Sequence, residues 1–521
     1  MKHDLADGPL SFSNSFDVCV VGAGAAGIVL AVELLRAGKR VVLLESGGDQ
    51  LEAATQDLYR SDVVGQRHTG VHDGRFRTWG GTTTRWGGQV LELEPIDFAR
   101  REWIAGNGWP IDKAKLQSGY DTAIRLEGLT NAVPGDAALW ERTGSEVPNL
   151  GTGLEPYFTR WCPQPNFALL HGETLLSDTN LTVILHANLL HLHVNEGRQR
   201  VQEAVFQSLN GHSMRIFARE FVLTIGTIET SRLLLNLADA QGARWNPNGL
   251  VGCHFQDHVD CEVGAVQPMD KKRFAAAFTN VLLDGFKYHP KFRLTAAEQG
   301  RLGVLNVAGT IVFKDSTEEI TGAVKATGRR LLRRAWGEID RAQIVNLLKH
   351  LPLLLQQTWS YAVRHRVYNS PATALALRVH CEQQPDSASR IRLSDDRDAL
   401  GMRRVRLDWQ ISALELRTIR TFAEEAARAL EVNGLAMVHI VNDLQDDAAL
   451  RLRCDDGLHH IGGAVMSSDP KRGVVDTDLR LHGVPNLSLC SAAVFPTGGY
   501  SNPTHTVLAL AVRLAQRLAT A

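Results

Sequence analysis

The sequence predicts an α/β chain, with a Rossmann-like domain on a parallel sheet joined to a second domain built on an antiparallel sheet. Three observations predict it. Residues 16–48 run from a short apolar stretch through a glycine-rich turn and a helical period into a second apolar stretch. Phe221–Ile225 leads through Gly226 and Thr227 into another helical stretch, a second strand–glycine–helix passage. Between residues 255 and 400, runs such as Val304–Phe313 alternate in the manner of strands with one covered face.

The first stretch carries the most information. Phe16–Val21 reads as a buried parallel strand. Gly22, Gly24 and Gly27 follow in G-x-G-x-x-G spacing, and Ile28, Leu30, Ala31, Leu34 and Leu35 fall at helical intervals until Gly38 can stop the helix. Arg40–Leu44 is a second buried strand ending on Glu45. The unit is a βαβ crossover whose switch point suits a dinucleotide. Gly22 permits the tight turn, Gly24 lets the backbone approach a pyrophosphate at the helix N-terminus, and Gly27 lets helix and strand pack closely. Glu45 can accept hydrogen bonds from a ribose diol and disfavours a 2′-phosphate, which leaves FAD or NAD.

Composition narrows the class. The 521 residues suffice for two or three domains, and the 44% hydrophobic and 22% charged fractions are those of a globular chain. A formal net charge of -1 offers no field for nucleic acid or an anionic membrane. Seven scattered cysteines form no C-x-x-C pair, so neither zinc nor a redox dithiol is expected and no metal site is assigned. Their odd count favours a reducing compartment. Residues 1–15 show no apolar signal region and no window reaches eighteen uncharged apolar residues, so a cytoplasmic location is expected.

Along the chain, Arg75–Gln89 is a second glycine-rich segment that fits neither helix nor strand and lets backbone come close to a flat or phosphorylated group. A helix is expected over Asp112–Leu126. Leu181–Val194 and Val201–Leu209 are expected to pair as antiparallel strands, and a helix over Glu229–Leu237 follows Phe221–Ile225. Lys325–Arg366 mixes apolar helical spacing with many basic residues. It reads as a helical cover on the sheet, with a membrane-surface or lid segment as the alternative. Arg403–Trp409 is a strand and Ala413–Val432 a helix. The last helix begins near Pro503, which places Asn502 at its cap. We divide the chain into a discontinuous cofactor domain (16–110, 180–255 and 454–521) and a substrate domain (111–179 and 256–453) with a helical insertion at about 325–366.

These segments together resemble the glucose–methanol–choline (GMC) family of FAD-dependent oxidoreductases, along nearly the whole chain and in order. The resemblance rests on Gly22–Glu45, on the glycine loop Gly80–Gly88, on Gly108–Ile111, on Val251–His258 and on the C-terminal signatures. Glu382–Ser394 resembles a segment of the family's bacterial sugar and polyol dehydrogenases. The resemblance implies the GMC fold and a bound FAD held by Gly22, Gly24, Gly27, Glu45, Gly80, Gly81, Thr82, Arg85, Trp86, Gly87, Gly88, Ser491 and Pro503. Similar pyranose oxidases carry a flavin-linked histidine before the tryptophan. Arg85 stands there, which implies non-covalent FAD. Ser491 stands where the family often has aspartate.

By the same resemblance His459 is the catalytic base and Asn502 its partner. The pair would release an alcohol hydride toward flavin N5, with the helix at Pro503 aiming its positive end at the flavin pyrimidine. Imidazole suits a base near neutral pH. His460 is the alternative base, His505 lines the pocket or packs, and His258 reads as structural. The implied activity is oxidation of a sugar, polyol or glycoside, with oxygen, a quinone or a redox protein left open as acceptor. A redox-neutral lyase on the same fold, an enzyme acting on a non-sugar alcohol, and a non-catalytic flavin-binding partner are the alternatives.

Overall fold

The computed structural model describes residues 1–521 apart from 13–14, 196, 198, 315–350, 371–372 and 521. Its first sheet has Phe16–Val21 at the centre, with Val41–Leu44, Leu181–Leu185 and Lys2–Asp4 successively parallel on one side. Ser213–Leu223 flanks the other side. Its second half runs parallel to Phe16–Val21, while its first half pairs antiparallel with Arg200–Gln207, which in turn pairs with Asn188–Asn195. Leu487–Leu489 adds a short parallel strand from the far end of the chain. Val41–Leu44 is wholly buried, as the continuous apolar run requires of a strand covered on both faces.

The expected strand Leu181–Val194 is two strands. The chain breaks at His186, which takes a left-handed φ of 51° and donates its N–H to the Gly47 carbonyl. The first half therefore joins the parallel sheet and the second joins the antiparallel ribbon. Helix Ala25–Arg36 fills the βαβ crossover, and Thr227–Gln241 follows the second strand–glycine passage. The last helix, Pro503–Ala519, lies against Ala25–Arg36 and Ala114–Leu126. Its approach to the latter requires Gly119, because a Cβ there would lie 2.5 Å from the Ala509 carbonyl oxygen.

The second sheet is antiparallel, in the order Ala436–Ile440, Val259–Pro268, Ala374–Cys381, Val307–Lys314, Phe286–Leu294, Leu154–Trp161 and Gln89–Val90. Helix Ala413–Val432 covers one face. Leu416, Ile419, Ala423, Ala426 and Leu430 repeat at three- and four-residue intervals and are buried, and Phe422 stacks on Phe292. A capping box between Ser412 and Glu415 starts this helix. The opposite face is free of that helix and carries Lys287, His289 and Lys291 from alternate positions of one strand.

A third, three-stranded sheet pairs Arg390–Arg397 with Arg403–Trp409, and the latter runs parallel to Ser61–Gly65. Of the basic helical span read at 325–366, residues 325–350 lie outside the described residues. Leu351–Arg364 is a helix whose Leu355, Trp359 and Val363 are exposed along one stripe. No helix among the described residues is long and apolar enough to cross a membrane. All seven cysteines are free and buried.

Candidate active site

Two cavities meet at one histidine. The first follows the switch point of the parallel sheet and is lined by Gly22, Gly24, Glu45, Trp86, Thr224 and Pro503 among others. Gly22 takes a left-handed φ of 103°. A Cβ on Gly27 would sit 1.9 Å from the Gly22 carbonyl oxygen, so helix and turn touch there. Gly24 differs from both. Its φ of -82° suits any residue and a Cβ would meet nothing within 4 Å, yet it faces the cavity at the start of helix Ala25–Arg36. That helix has no side-chain cap and no acidic residue in its first turn, so its positive end is open to an anion.

Glu45 closes the far side. Its carboxylate accepts from the N–H groups of Ala23 at 3.0 Å and Gly47 at 3.0 Å. Burial raises its pKa, and those donors partly offset the rise. The glycine loop packs directly on the first turn. The Gly80 N–H donates to the Ala23 carbonyl, and a Cβ on Gly81 would lie 2.9 Å from the Gly24 Cα. Gly81, Thr82, Thr83 and Trp86 line the cavity. Gly80, Gly87 and Gly88 do not; they let the loop turn and lie close to Ala168, Trp161 and Pro165. Arg85 is exposed, outside the lining and over the Phe76 ring. Ser491 caps the short turn Ala492–Val494 and lines the cavity.

The cavity lining also holds a buried ionic group absent from the sequence reading. Glu229 bridges Arg75, Arg77 and Arg232 at 3.0, 2.8 and 3.1 Å. Burial opposes its charge, but the three guanidinium groups outweigh it and hold the carboxyl at about 2. The lining fits a dinucleotide: an opening that a side chain at Gly24 would fill, a bare helix N-terminus, and a carboxylate twenty-one residues on.

The second cavity, ≈ 1020 Å³, lies on the uncovered face of the antiparallel sheet. Among the described residues, His459 alone lines both cavities. Its placement is built by two segments that pair across 200 residues. Gln256 and Ile461 exchange backbone hydrogen bonds, and the Asp257 carboxylate accepts from the N–H groups of both His258 and His459. Leu458, just before His459, takes a left-handed φ of 61°, a strained conformation that this pairing maintains.

His459 is held at both nitrogens. Its Nδ1 lies 2.8 Å from His258 Nδ1 and its Nε2 lies 2.9 Å from Asn502 Nδ2. With the amide oriented as in the structure, Nδ2 donates and Nε2 must be unprotonated. The ring then carries its proton on Nδ1 and donates to His258. Burial, then the nearby His258 and His380, push the His459 pKa well below 6.5, so the ring stays neutral at pH 7. The arrangement is a neutral imidazole with a lone pair directed at Asn502, beside the second cavity.

This geometry corrects one reading and adds to another. Asn502 occupies the cap position of the last helix, but its side chain makes no capping hydrogen bond, because the amide is engaged by His459. His258, read as structural, touches His459 directly. Its own Nε2 makes no ordinary hydrogen bond with a described residue, and burial pushes its pKa well below 6.5, an effect that the adjacent backbone of Gly498 and Gly499 offsets only in part. His505 lines neither cavity. It pairs with buried Glu127 at 2.9 Å, which outweighs burial and raises its pKa. His460 lines the first cavity and lies beside His68 and Asp257.

His380 and Asp260, paired to each other, complete the wall beside His459. Sequence reading missed both, along with Lys291, although alternation along strands 259–268, 286–294 and 374–381 puts them on one face. His258, His380 and His459 offer ring nitrogens within 4.8 Å of one another, as His68 and His460 do with the Asp257 carboxylate. Each is the type of grouping that can hold a metal ion. The hydrogen bonds His258–His459, His380–Asp260 and His68–Asp257 already use one nitrogen of each ring they join.

Residues 385–511 match the family model described as GMC oxidoreductase, and residues 15–73 match that of an FAD binding domain. Over 95% of the chain and 94% of the relative, the sequence is 23% identical to 2-methyl-1,2-propanediol dehydrogenase of Mycolicibacterium austroafricanum. It is 24% identical to paromamine 6'-oxidase of Streptomyces fradiae over 97% of this chain and 91% of that one. Pyridoxine 4-oxidase from Mesorbium loti shares the fold with a TM-score of 0.57 at 16% identity, covering 97% of this chain and 99% of its own.

Proposed function

The chain belongs to the GMC oxidoreductase family and is an FAD-dependent alcohol oxidoreductase, and from that premise we propose that it oxidises an alcohol group of a sugar, polyol or glycoside, with His459 as the base. FAD, when bound, supplies the hydride acceptor. The observation that carries this reading is the neutral, doubly hydrogen-bonded imidazole of His459 at the meeting point of the two cavities. Its Nε2 lone pair accepts from the Asn502 amide until a substrate hydroxyl entering from the larger cavity takes that place and gives its proton to Nε2. The displaced Asn502 amide then offers the hydroxyl oxygen a second contact. Fixing both groups before the reaction removes most of the orientational cost of the step. The second cavity is wide, and the hydrogen-bonding side chains of Gln89, Asn280, Thr310 and Asn369 in its lining suit a polyhydroxylated substrate better than a simple aliphatic one.

Anaerobic mixing of the yellow holoenzyme with sugars, polyols, glycosides and aliphatic alcohols tests this reading. Bleaching of the flavin by one of the polyhydroxylated classes is expected. Bleaching by none of the alcohols would defeat it. FAD is proposed to be held without a covalent bond, since Arg85 offers no nucleophile and is exposed outside the cavity. Acid precipitation should release all yellow colour into the supernatant, and colour kept in the pellet would contradict it.

A further inference from the structure

The face of the antiparallel sheet that forms the second cavity is cationic. Among the described residues its lining holds four cations, Lys287, Lys291, Arg366 and Arg378, against the single carboxylate of Asp260. That carboxylate is engaged by His380. Neither Lys291 nor Arg378 makes an ion pair with a described residue, although both lie near enough to Asp260 to feel its charge. Arg366 is buried and spends its donors on the Thr279 carbonyl at 2.7 Å and the Ser145 hydroxyl at 2.9 Å, neither of them charged. Lys287 lies 3.8 Å from the centre of the Trp161 ring, which also lines the cavity.

A cation that has lost hydration in a concave wall without gaining an ion pair is costly to the folded chain. Lys291 shows this cost: burial lowers its ammonium to about 8, and Asp260 only partly restores it. An excess of one sign in a cleft also concentrates ligands of the opposite sign. The His459 ring feels the charge of Lys291, so the anion-attracting wall and the base belong to one chamber.

We infer that the cavity selects an alcohol substrate bearing an anionic oxygen group, a sugar acid carboxylate or a polyol phosphate, held by Lys291 with Arg378 while another hydroxyl of the same molecule faces His459. This rests on the proposed alcohol oxidation and narrows its substrate. The same field works against cationic amino sugars. Lys291 acts as a specificity residue, and its contribution is to binding and not to proton transfer.

Binding to the oxidised holoenzyme under anaerobic conditions at pH 7 and low salt tests the inference, using D-gluconate, D-glucitol and D-glucitol 6-phosphate. Calorimetry and flavin difference spectra read binding whether or not turnover follows. A flavin that no alcohol bleaches would therefore defeat the proposed oxidation and leave this measurement standing. At least tenfold tighter binding of one anion over glucitol is expected, shrinking as KCl is raised. The anion that binds identifies carboxylate or phosphate as the recognised group. In Lys291→Gln the preference should fall toward unity, and Lys291→Arg should restore part of it. Unchanged flavin content and a thermal midpoint no lower than the parent's in both variants guard against misfolding. Equal or weaker binding of both anions, or an undiminished preference in Lys291→Gln, would overturn the inference.

Discussion

At the scale of single residues, the chemistry depends on how His459 is held. Two contacts, from His258 and Asn502, fix its proton on Nδ1 and leave Nε2 as the acceptor. Removing a positioned base costs about two to four orders of magnitude, roughly 3 to 5 kcal/mol of barrier. His459→Ala should slow anaerobic flavin reduction by that much with FAD retained, whereas His460→Ala should leave it near the parent rate. The reverse pattern would assign the base to His460. Asn502→Ala tests the amide contact without removing a helix cap, since the side chain caps nothing. The pH profile follows from the same geometry. A lowered histidine pKa keeps the base form as pH falls through 6.5, so flavin reduction should stay level from pH 8 to 6.5 and decline only below it. A decline beginning above pH 7 would contradict a neutral, depressed imidazole.

At the scale of elements, the first βαβ unit separates two uses of glycine that look alike in sequence. Gly27 is needed by the protein, because a Cβ would collide with the Gly22 carbonyl oxygen. Gly24 is needed by the ligand, because its surroundings have room for a side chain and its φ suits any residue. Gly24→Val should therefore give a folded chain with little bound FAD. Gly27→Ala should lower the thermal midpoint of the apoprotein, since no neighbouring flexible side chain can give way. Circular dichroism melting and flavin absorbance of the purified variants distinguish the two. Equal melting losses in both variants would show that Gly24 serves packing after all.

At the scale of the molecule, the cofactor cavity draws its lining from turns spread from Gly22 to Val507, so a bound dinucleotide ties together segments that the sheet alone does not. A ligand that binds only the folded state stabilises it by mass action, about 2.7 kcal/mol at a hundredfold excess over its Kd. Stripping FAD should lower the thermal midpoint, and adding FAD back should restore it. NAD at the same concentration should not. A midpoint insensitive to FAD would mean that these segments are already locked without it.

The sequence by itself determined what short-range rules decide. The G-x-G-x-x-G turn with its flanking strands, the helix Ala413–Val432 with its capping box, and the start of the last helix at Pro503 all depend on neighbours a few residues away. The break at His186 was not legible, because the residues around it read as one apolar run and only the Gly47 contact divides them. The site itself was legible only as motifs. His459 and Asn502 stood out through the family resemblance, but their roles at each nitrogen did not. His258 reaches His459 across 201 residues of chain, and Asp260 and His380 arrive from separate strands of the antiparallel sheet. Such partners are chosen by sheet register and by which face a strand buries, both set by the packing of the whole chain. The tertiary structure alone therefore decided that Asn502 serves the histidine and not the helix, and that a cationic wall faces the same chamber.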